Sequence, residues 1–452
     1  MASLLLVTNG PAGMRFSAIE LGRRLQAAGH AVTVLADGEA EALVRHHGLA
    51  FRCLDVGSSQ MSEARRTGWI RRWRQRASRR EAAIVASGAR GLVEHLRSVQ
   101  PDLILLDGEM QEHVLVAAAS GVPLALMNTF CSIWRQAGSP PPHTTTRPGE
   151  GWLGSRPGAW LAWTAFLLRK RLRERIRWFR EAGGDPVSVL RALADEQGFD
   201  FRRGADAGQW LMPRTYPAFP ALSLHAAEFE FSERPPENVV YTGPQVLRER
   251  LDPPLEARDR ERLDELVGVH GPRGRGRPLV YGGFGSFFTA EAGWVGKLFD
   301  TFRERPDWSL VLPVGGRGGL PPGLADRVPA NVHVFDWLPQ LEVLPHCDVA
   351  VVHGGINTID ECVLARVPML VCNGRETDMP GNQARVVHHG LGLAADPGRD
   401  GPPQIRRALE QLQGDSRFVE ALERQAEAYE RYERDRMAER AIENLLDSAR
   451  RA

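Results

Sequence analysis

The chain has 452 residues, more than one ordinary hydrophobic core contains, and this length predicts two domains of about 200 residues each. A formal net charge of +1 gives no electrostatic support to nucleic acid as a partner. Five scattered cysteines without a Cys-x-x-Cys pair argue for a reducing compartment and against disulfides or a zinc knuckle. The N-terminus lacks a signal-peptide pattern and no segment carries roughly 18 apolar residues in a row, so we expect a cytoplasmic protein without a membrane span.

The chain opens with a strand–helix–strand pattern. Residues 3–8 form a short apolar run that predicts a buried strand, and residues 9–14 form a glycine-containing loop. Residues 17–28 then predict a helix, and residues 31–36 predict a second strand. This order predicts a doubly wound parallel sheet.

Two acids follow the next apolar run, which covers residues 103–106. Asp107 and Glu109 would lie at the carboxyl end of a parallel strand, where ligand clefts form. A second interpretation is that Asp107 caps the helix predicted over residues 111–120, because a helix N-terminus needs a hydrogen-bond acceptor. The pattern favours the capping role and leaves the functional one open.

Two basic segments with tryptophans interrupt the globular pattern. Residues 65–80 and 151–180 combine arginines with apolar side chains, and such helices can lie on anionic membranes with tryptophan at the interface. The alternative, a solvated basic face over a core-facing aromatic stripe, is favoured. Their aromatic content still indicates a bulky, apolar ligand. Between them, the Pro-, Gly- and Thr-rich residues 137–156 predict a mobile loop.

The middle of the chain separates two halves. Residues 238–244 predict a strand and turn that close the first half, and residues 248–277 predict a charged linker with one helix. A second sheet starts at residue 279. The glycine-rich segment 282–286, which includes Gly285 and Ser286, would present backbone N–H groups to an anion, although this pattern alone is weak evidence for a phosphate site.

The most informative stretch covers residues 337–392. Residues 348–352 predict a buried strand, and the glycines after His353 allow a sharp turn close to a ligand. Asn357 is a predicted helix N-cap, and a helix N-terminus favours phosphate. Glu361 lies one helical turn later on the same face, where a carboxylate can accept hydrogen bonds from ribose hydroxyls. The predicted elements that follow are a strand over residues 367–372 and a helix over residues 382–389.

This stretch resembles the donor-binding region of the nucleotide-sugar glycosyltransferases of the plant, mammalian UDP-sugar and bacterial antibiotic type. Order and spacing are kept over many residues, so the resemblance is far more specific than a lone glycine motif. The family's fold, called GT-B, consists of two Rossmann-like doubly wound α/β domains that face a cleft. The matching residues are Trp337, Pro339, Gln340, His353, Gly355, Asn357, Thr358, Glu361, Pro368, Asp378 and Asn382.

The resemblance implies a division of the chain into four segments. Residues 1–245 would form an N-terminal acceptor-binding domain, and residues 246–277 would form the interdomain linker. Residues 278–430 would form the C-terminal domain that binds the nucleotide sugar. Residues 431–452 would form a helix that crosses back to the N-terminal domain.

The resemblance also implies how the nucleotide is held. Trp337 would stack on the base, Gln340 would lie beside the ribose, and Glu361 would bind the ribose hydroxyls. Because such a carboxylate favours ribose over deoxyribose, a UDP-sugar is preferred to a dTDP-sugar. The pyrophosphate would be held by His353, Asn357 and Thr358. Further donor-side candidates are Gly285, Ser286 and Gly355.

The sequence departs from the family at two positions. Asp378 would bind sugar hydroxyls, but the next residue, usually glutamine, is Met379, whose thioether is only a weak acceptor; the sugar is therefore undefined. The family places a histidine or aspartate base before the first helix, where this chain has Met14. Three interpretations follow: Asp107 or Glu109 acts on the acceptor directly, the acceptor needs little deprotonation, or transferase activity has been lost.

The resemblance therefore implies an inverting, metal-independent glycosyltransferase that moves a sugar from a nucleotide sugar to a bulky apolar natural-product or lipid-like acceptor. The sequence has no Asp-x-Asp motif for a metal, and we expect no cofactor besides the nucleotide-sugar co-substrate. Peripheral membrane contact is the less favoured interpretation of the basic segments, and nothing in the sequence indicates an oligomeric state. The alternative function, motivated by Met14, is a catalytically degenerate binding protein that assists an active enzyme.

Overall fold

The computed structural model describes residues 1–10, 12–55, 68–131, 133–210, 214–231, 235–270, 277–284, 292–314, 319–320, 322–373 and 377–451. Within these residues the chain forms two parallel β-sheets, one of seven strands and one of six. Both sheets are doubly wound, so the predicted α/β class with two Rossmann-like units is confirmed.

The first sheet lies within residues 3–241. Its strands are Ser3–Val7 (β1), Ala31–Ala36 (β2), Ala50–Cys53 (β3), Leu103–Asp107 (β4), Leu124–Asn128 (β5), Ala221–Ser223 (β6) and Val239–Tyr241 (β7). Their spatial order is β3-β2-β1-β4-β5-β6-β7. The winding reverses between β1 and β4, and ligands of doubly wound sheets bind beyond the carboxyl ends of the strands at such a point.

The helices of this half are Ala12–Ala27 (α1), Glu41–His46 (α2), Trp69–Arg74 (α3), Arg76–Ser87 (α4), Leu92–Val99 (α5), Gln111–Ala119 (α6), Arg156–Arg180 (α7), Pro186–Glu196 (α8) and Phe201–Gly204 (α9). They cover both faces of the sheet, which is why all five residues of β4 are buried. The basic segment predicted over residues 65–80 is two short helices, α3 and the start of α4, and its residues 65–67 lie outside the described part of the chain.

The second sheet lies within residues 279–395. Its strands are Leu279–Gly283 (β8), Ser309–Pro313 (β9), Val332–Phe335 (β10), Val349–Val352 (β11), Met369–Cys372 (β12) and Gly392–Ala395 (β13). Their order, β10-β9-β8-β11-β12-β13, places the reversal of winding between β8 and β11. The His353 turn follows β11, so the fold brings this predicted phosphate-binding segment to that crevice.

The helices of the second half are Ala257–His270 (α10), Ala292–Arg303 (α11), Gln340–Val343 (α12), Ile356–Leu364 (α13), Met379–His388 (α14), Pro402–Gly414 (α15), Ser416–Arg434 (α16) and Met437–Arg451 (α17). Helix α17 packs its apolar face into the core of the first sheet, where Ile442 and Leu446 lie beside Leu4 and Leu6. The division of the chain at residues 245, 277 and 430 stays a prediction.

Three boundaries near the crevices differ from the predicted ones. Helix α1 begins at Ala12 rather than at residue 17, because a proline at position 11 suits the start of a helix; Met14 therefore lies in a helical turn and not in a loop. Helix α14 begins at Met379 rather than at residue 382, since Pro380 likewise suits the first turn. Strand β8 continues into the segment predicted as a loop, because Gly282 and Gly283 pair with β11.

The segment predicted as a mobile loop is irregular, but its residues 139–142 are buried. The indole N–H of Trp163 donates to the carbonyl oxygen of Ser139 over 2.9 Å, and the N–H of Gly381 donates to the carbonyl oxygen of Pro142 over 2.7 Å. This segment thus connects α7 of the first half with α14 of the second. Across the part of the chain that the structure describes, helices long and apolar enough to cross a membrane are absent.

Candidate active site

The turn after β11 is built around two glycines. Gly354 has a φ of +92°, which side-chain-bearing residues rarely adopt, and a Cβ there would lie 3.2 Å from the carbonyl oxygen of Met379. Gly355 is the N-cap of α13, and a Cβ on it would overlap the Nε2 atom of His353. The two glycines therefore allow the imidazole ring to lie directly against the N-terminus of α13.

His353 is buried, and burial lowers its pKa below the ordinary 6.5. Its Nδ1 lies 3.2 Å from the carbonyl oxygen of Gly283, an acceptor that requires a proton on Nδ1. The ring is therefore neutral at pH 7, with Nε2 directed at the start of the helix.

Asn357 and Thr358 lie in the first turn of α13, where backbone N–H groups have no acceptor within the helix. The prediction that Asn357 is the N-cap is wrong: the extended backbone of Gly355 already provides that geometry, so the helix starts one residue before Asn357. Both side chains are half-buried beside the His353 turn. The helix N-terminus nevertheless forms, and it remains suited to an anion.

Glu361 is buried one turn further along α13 and contacts two donors. The Nη2 atom of Arg250 and the Nε2 atom of Gln340 each donate to one of its carboxylate oxygens. Burial raises the pKa of Glu361, while Arg250 and Gln340 oppose that rise. Gln340 in turn accepts a hydrogen bond of 3.0 Å from the hydroxyl of Tyr281. The carboxylate predicted to bind ribose is thus held in a fixed position.

Sequence reasoning missed Arg250 and Tyr281. Arg250 lies in the predicted linker, and its guanidinium lies 4.6 Å from the ring centroid of Phe16 on α1. Arg250 therefore contacts Phe16 in the first half of the molecule and Glu361 in the second. Trp337 is half-buried in the segment between β10 and α12, three positions before Gln340.

Asp378 is buried at the N-cap position of α14, one residue before Met379. Its Oδ2 atom accepts a hydrogen bond of 2.8 Å from Asn382, whose amide also donates over 3.0 Å to the carbonyl oxygen of Gly354. Asn382 thereby ties α14 to the glycine turn and brings Asp378 beside it. Gly285 and Ser286 lie outside the described residues.

Asp107 ends β4 and faces a pocket. Its Oδ1 atom accepts a hydrogen bond of 2.9 Å from the backbone N–H of Glu109, whereas Met110 is the N-cap of α6, so the favoured prediction that Asp107 caps this helix is wrong. The Asp107 carboxylate thus stabilises the turn that precedes α6, and it does not cap the helix. Burial raises the pKa of Asp107 to about 7.

Glu109 lies at the mouth of the same pocket, with its side chain exposed. Its pKa is raised, first by partial desolvation and then by the negative charge of Asp378 across the crevice. Glu109 therefore lies close enough to interact with the predicted sugar-binding residue of the second half.

The pocket is mostly apolar beyond its two acids. Its walls come from β4, β5 and the segments that follow β5 and α9, and they include Phe130, Ile133, Trp134, Arg214 and Tyr216. Aromatic walls with a few polar groups are typical of sites for bulky organic ligands.

The two halves meet at the crevice. A Cβ on Gly13 would overlap the amide nitrogen of Asn357, and a Cβ on Gly381 would overlap the carbonyl oxygen of Pro142, so both contacts depend on glycine. Met14 follows Gly13 directly and packs its sulfur near Gly10. The structure thus places Met14, the position at which the resembled family has its base, at the edge of the crevice.

A buried ion pair also joins the halves. Arg385 of α14 donates to the carboxylate of Glu230 over 2.8 Å, and both side chains are almost fully buried. Within the described ranges, groups of three or more His, Cys, Asp and Glu side chains suited to a metal ion are absent.

Residues 321–433 match the family model of the erythromycin biosynthesis protein CIII-like C-terminal domain. The chain is 32% identical over 177 residues to demethyllactenocin mycarosyltransferase of Streptomyces fradiae, which covers 38% of this chain and 37% of that protein. It is 33% identical over 208 residues to ecdysteroid UDP-glucosyltransferase of Lymantria dispar multicapsid nuclear polyhedrosis virus, which covers 45% and 38%. The chain thus spans less than two fifths of the length of these relatives.

The likeness in structure extends over the whole chain. The crystal structure of the glycotransferase of kitacinnamycin superposes with a TM-score of 0.68 at 21% identity, covering 98% of each chain. The family model matches residues of the second half, whereas the fold match includes both sheets.

Proposed function

We propose that the chain is a nucleotide-sugar glycosyltransferase, and that it transfers a sugar from a nucleotide sugar to an apolar small-molecule acceptor. The observation that carries this proposal is the juxtaposition at the crevice. The predicted donor-side residues lie beyond β11 and at the start of α14, where Asp378 interacts with Glu109, and Glu109 lines the pocket of the first sheet together with Asp107.

The donor is a UDP-sugar in this proposal. A buried carboxylate at Glu361 would accept from both ribose hydroxyls, and a deoxyribose would leave one acceptor position unpaired. Trp337 would stack on the base, and Gln340, fixed by Tyr281, would lie beside the ribose. The arriving ribose would replace Arg250 or Gln340 as a donor to the carboxylate.

The diphosphate would lie at the N-terminus of α13. Three favourable interactions are available there: the first-turn N–H groups, the helix dipole, and His353, whose Nε2 would take up a proton as the anion arrives. Each hydrogen bond to a charged group contributes about 1.5–3 kcal/mol. Together they would stabilise the departing diphosphate without a metal ion.

The transfer is a direct displacement in this proposal. The acceptor hydroxyl gives its proton to a carboxylate, its oxygen bonds to the anomeric carbon, and the diphosphate leaves with the electrons of the broken bond, which inverts the configuration. Glu109 is the preferred base because it is exposed in the pocket and interacts electrostatically with Asp378. Asp107, with a pKa of about 7, is the second candidate, since a base near the working pH is the most effective.

The acceptor would bind in the apolar pocket of the first sheet. Its aromatic walls favour a bulky, largely apolar molecule with a hydroxyl near the acids. The sugar would contact Asp378, whereas Met379 offers only a weak acceptor and so favours a sugar that is less hydroxylated on that side.

A catalytically degenerate binding protein is the second candidate. Met14 motivates it, because a thioether at the crevice edge cannot accept the acceptor's proton. The buried acid Asp107 opposes it, because burial raises its pKa to about 7, and a pKa near the working pH is typical of a general base.

Calorimetric titration with UDP, dTDP and UDP-glucose tests the donor side, and release of UDP in the presence of apolar hydroxyl-bearing acceptors tests transfer. We expect UDP to bind more tightly than dTDP and UDP release to depend on the acceptor. Binding of UDP without turnover on any acceptor would favour the degenerate protein. Failure of all three nucleotides to bind would overturn the proposed donor site and would favour a degenerate protein that binds only a hydrophobic ligand.

A further inference from the structure

The outward face of α7 is apolar along its whole length. Leu161, Leu168, Leu172, Ile176 and Phe179 are each between 48% and 60% exposed. Their spacing of seven, four, four and three positions places them on one side of the helix. A helix that packs only against its own domain would direct such a stripe toward the core.

The opposite face of α7 is buried against the rest of the first half and donates hydrogen bonds to it. Trp163 is buried and donates to the carbonyl oxygen of Ser139, and Lys170 is buried and donates over 2.9 Å to the carbonyl oxygen of Gln209. The inner face thus buries a lysine while the outer face exposes leucines, which is the reverse of an ordinary amphipathic helix packed on a core. The apolar stripe is directed outward by the fold.

Arginines flank the stripe on both sides. The helix carries seven arginines and one lysine against one acid, Glu174, which is paired with Arg214 over 2.7 Å. Arg171 and Arg175 project to one side of the stripe and Arg169 and Arg180 to the other, at helical angles of roughly 100° per residue.

Helix α3 extends this face beyond the end of α7. Trp69 stacks on Trp73 with ring centroids 5.6 Å apart, lies 5.4 Å from Phe179 and donates its indole N–H to the backbone of Phe179 over 2.7 Å. Ile70 beside them is 66% exposed. At the other end of α7, Trp160 is exposed as well. Tryptophans thus mark both ends of one continuous basic and apolar face, the α3–α7 surface.

We propose that the α3–α7 surface docks the protein on the surface of an anionic lipid bilayer. An apolar stripe with tryptophans at its ends and arginines along both sides matches the acyl boundary and the anionic headgroups of one leaflet. A second copy of the chain is a poor occupant, because two equally cationic faces would repel each other. The helix lies on the bilayer and does not cross it, in accord with its arginine content.

Docking would bring the membrane next to the pocket of the first sheet. Arg135 lies 5.6 Å from the ring of Trp160 on this surface, and its neighbour Trp134 belongs to the pocket wall. An apolar acceptor dissolved in the bilayer would then have a short route into the pocket. This consequence rests on the proposed function, whereas docking itself does not.

Flotation of the full chain with vesicles tests the proposal. We expect binding to vesicles of equal parts phosphatidylcholine and phosphatidylglycerol, weak binding to phosphatidylcholine alone, and loss of binding as salt rises. The triple variant Leu168→Gln, Leu172→Gln and Ile176→Gln should bind more than about tenfold more weakly. The pair Arg171→Gln and Arg175→Gln should lose about fivefold per arginine.

Matched variants on the second half serve as controls. Val269→Gln with Val419→Gln replaces exposed apolar residues, and Arg407→Gln with Arg424→Gln removes exposed charges; both should bind like the wild type. Unchanged circular dichroism spectra would show that all variants fold.

Three outcomes would overturn the proposal: no flotation of the wild type with anionic vesicles, equal binding to neutral ones, or unchanged binding of the triple variant. Light scattering that shows a dimer, converted to a monomer by the triple variant, would assign this surface to a second copy. If the chain binds an acidic protein but not anionic vesicles, the α3–α7 surface would be assigned to a protein partner. UDP titration of the same variants separates this result from the proposed donor site, because all of them should bind UDP with the same affinity.

Discussion

The two sides of the crevice are built in different ways. On the donor side, one strand, one turn and one helix carry His353, Asn357 and Glu361, so neighbours in sequence become neighbours in space. On the acceptor side, the pocket draws its walls from segments more than 100 residues apart, such as Asp107 and Arg214. A contiguous site is set mainly by local geometry, whereas a dispersed site depends on how distant segments pack together.

The largest effect should come from the acids of the acceptor side. Glu109→Gln combined with Asp107→Asn should lower the transfer rate by about 10²–10⁴, the usual contribution of a general base, with UDP affinity unchanged. Steady-state kinetics and UDP titration measure the two quantities. Asp102→Asn, an exposed acid at the opposite end of β4, is the control. An unchanged transfer rate would mean that the acceptor needs no base from this pocket.

The second effect concerns the pH dependence of stability. The folded protein keeps a proton on Asp107 up to about pH 7, whereas the unfolded chain releases it near the ordinary value of 3.8. The folded state thus binds more protons between these values, so this group lowers the free energy of unfolding as pH rises, by on the order of 3 kcal/mol from pH 5 to pH 8. Urea unfolding at both pH values should show this loss in the wild type and in Asp102→Asn but not in Asp107→Asn. Equal slopes in all three proteins would contradict the burial of Asp107 as a protonated acid.

A smaller effect is expected on the donor side. Glu361→Gln should weaken UDP binding by about 10- to 100-fold, because it replaces a hydrogen bond to a charged group, worth about 1.5–3 kcal/mol, by a neutral one. The loss should be smaller for dTDP, which lacks one of the two hydroxyls. Glu342→Gln, an exposed glutamate on α12 paired with Arg260, is the control for calorimetry. Equal losses for both nucleotides would argue against contact with the ribose hydroxyl.

The smallest effect tests the contact between the two sides. Gly381→Ala should cost about 1–3 kcal/mol of stability, because its Cβ would overlap the carbonyl oxygen of Pro142 and force the two halves apart. Thermal unfolding measures this cost, and Gly414→Ala, whose Cβ meets open space at the end of α15, is the control. If Gly381→Ala unfolds at the temperature of the wild type, the contact between Gly381 and Pro142 serves only to position the segment that contains Pro142.

The donor side could be predicted almost entirely from local pattern. An apolar run, two glycines and a helical stretch define β11, the turn and α13 with little help from the rest of the chain. The errors there are shifts of a helix start, at Asn357 and at Met379, because the N-cap depends on backbone geometry that residue type alone does not reveal. The acceptor side was identified only through two acids at a strand end.

Sequence by itself determined the class of fold, through periodicity and the family resemblance, and the strand, turn and helix that carry His353 and Glu361; their binding roles stay predictions. Only the tertiary structure decided that Arg250 contacts Glu361, that Glu109 faces Asp378 and that Asp107 is buried with a raised pKa. It also decided that the apolar stripe of α7 points outward. These features depend on which distant segments pack together, and burial and charge at a given residue are set by that packing.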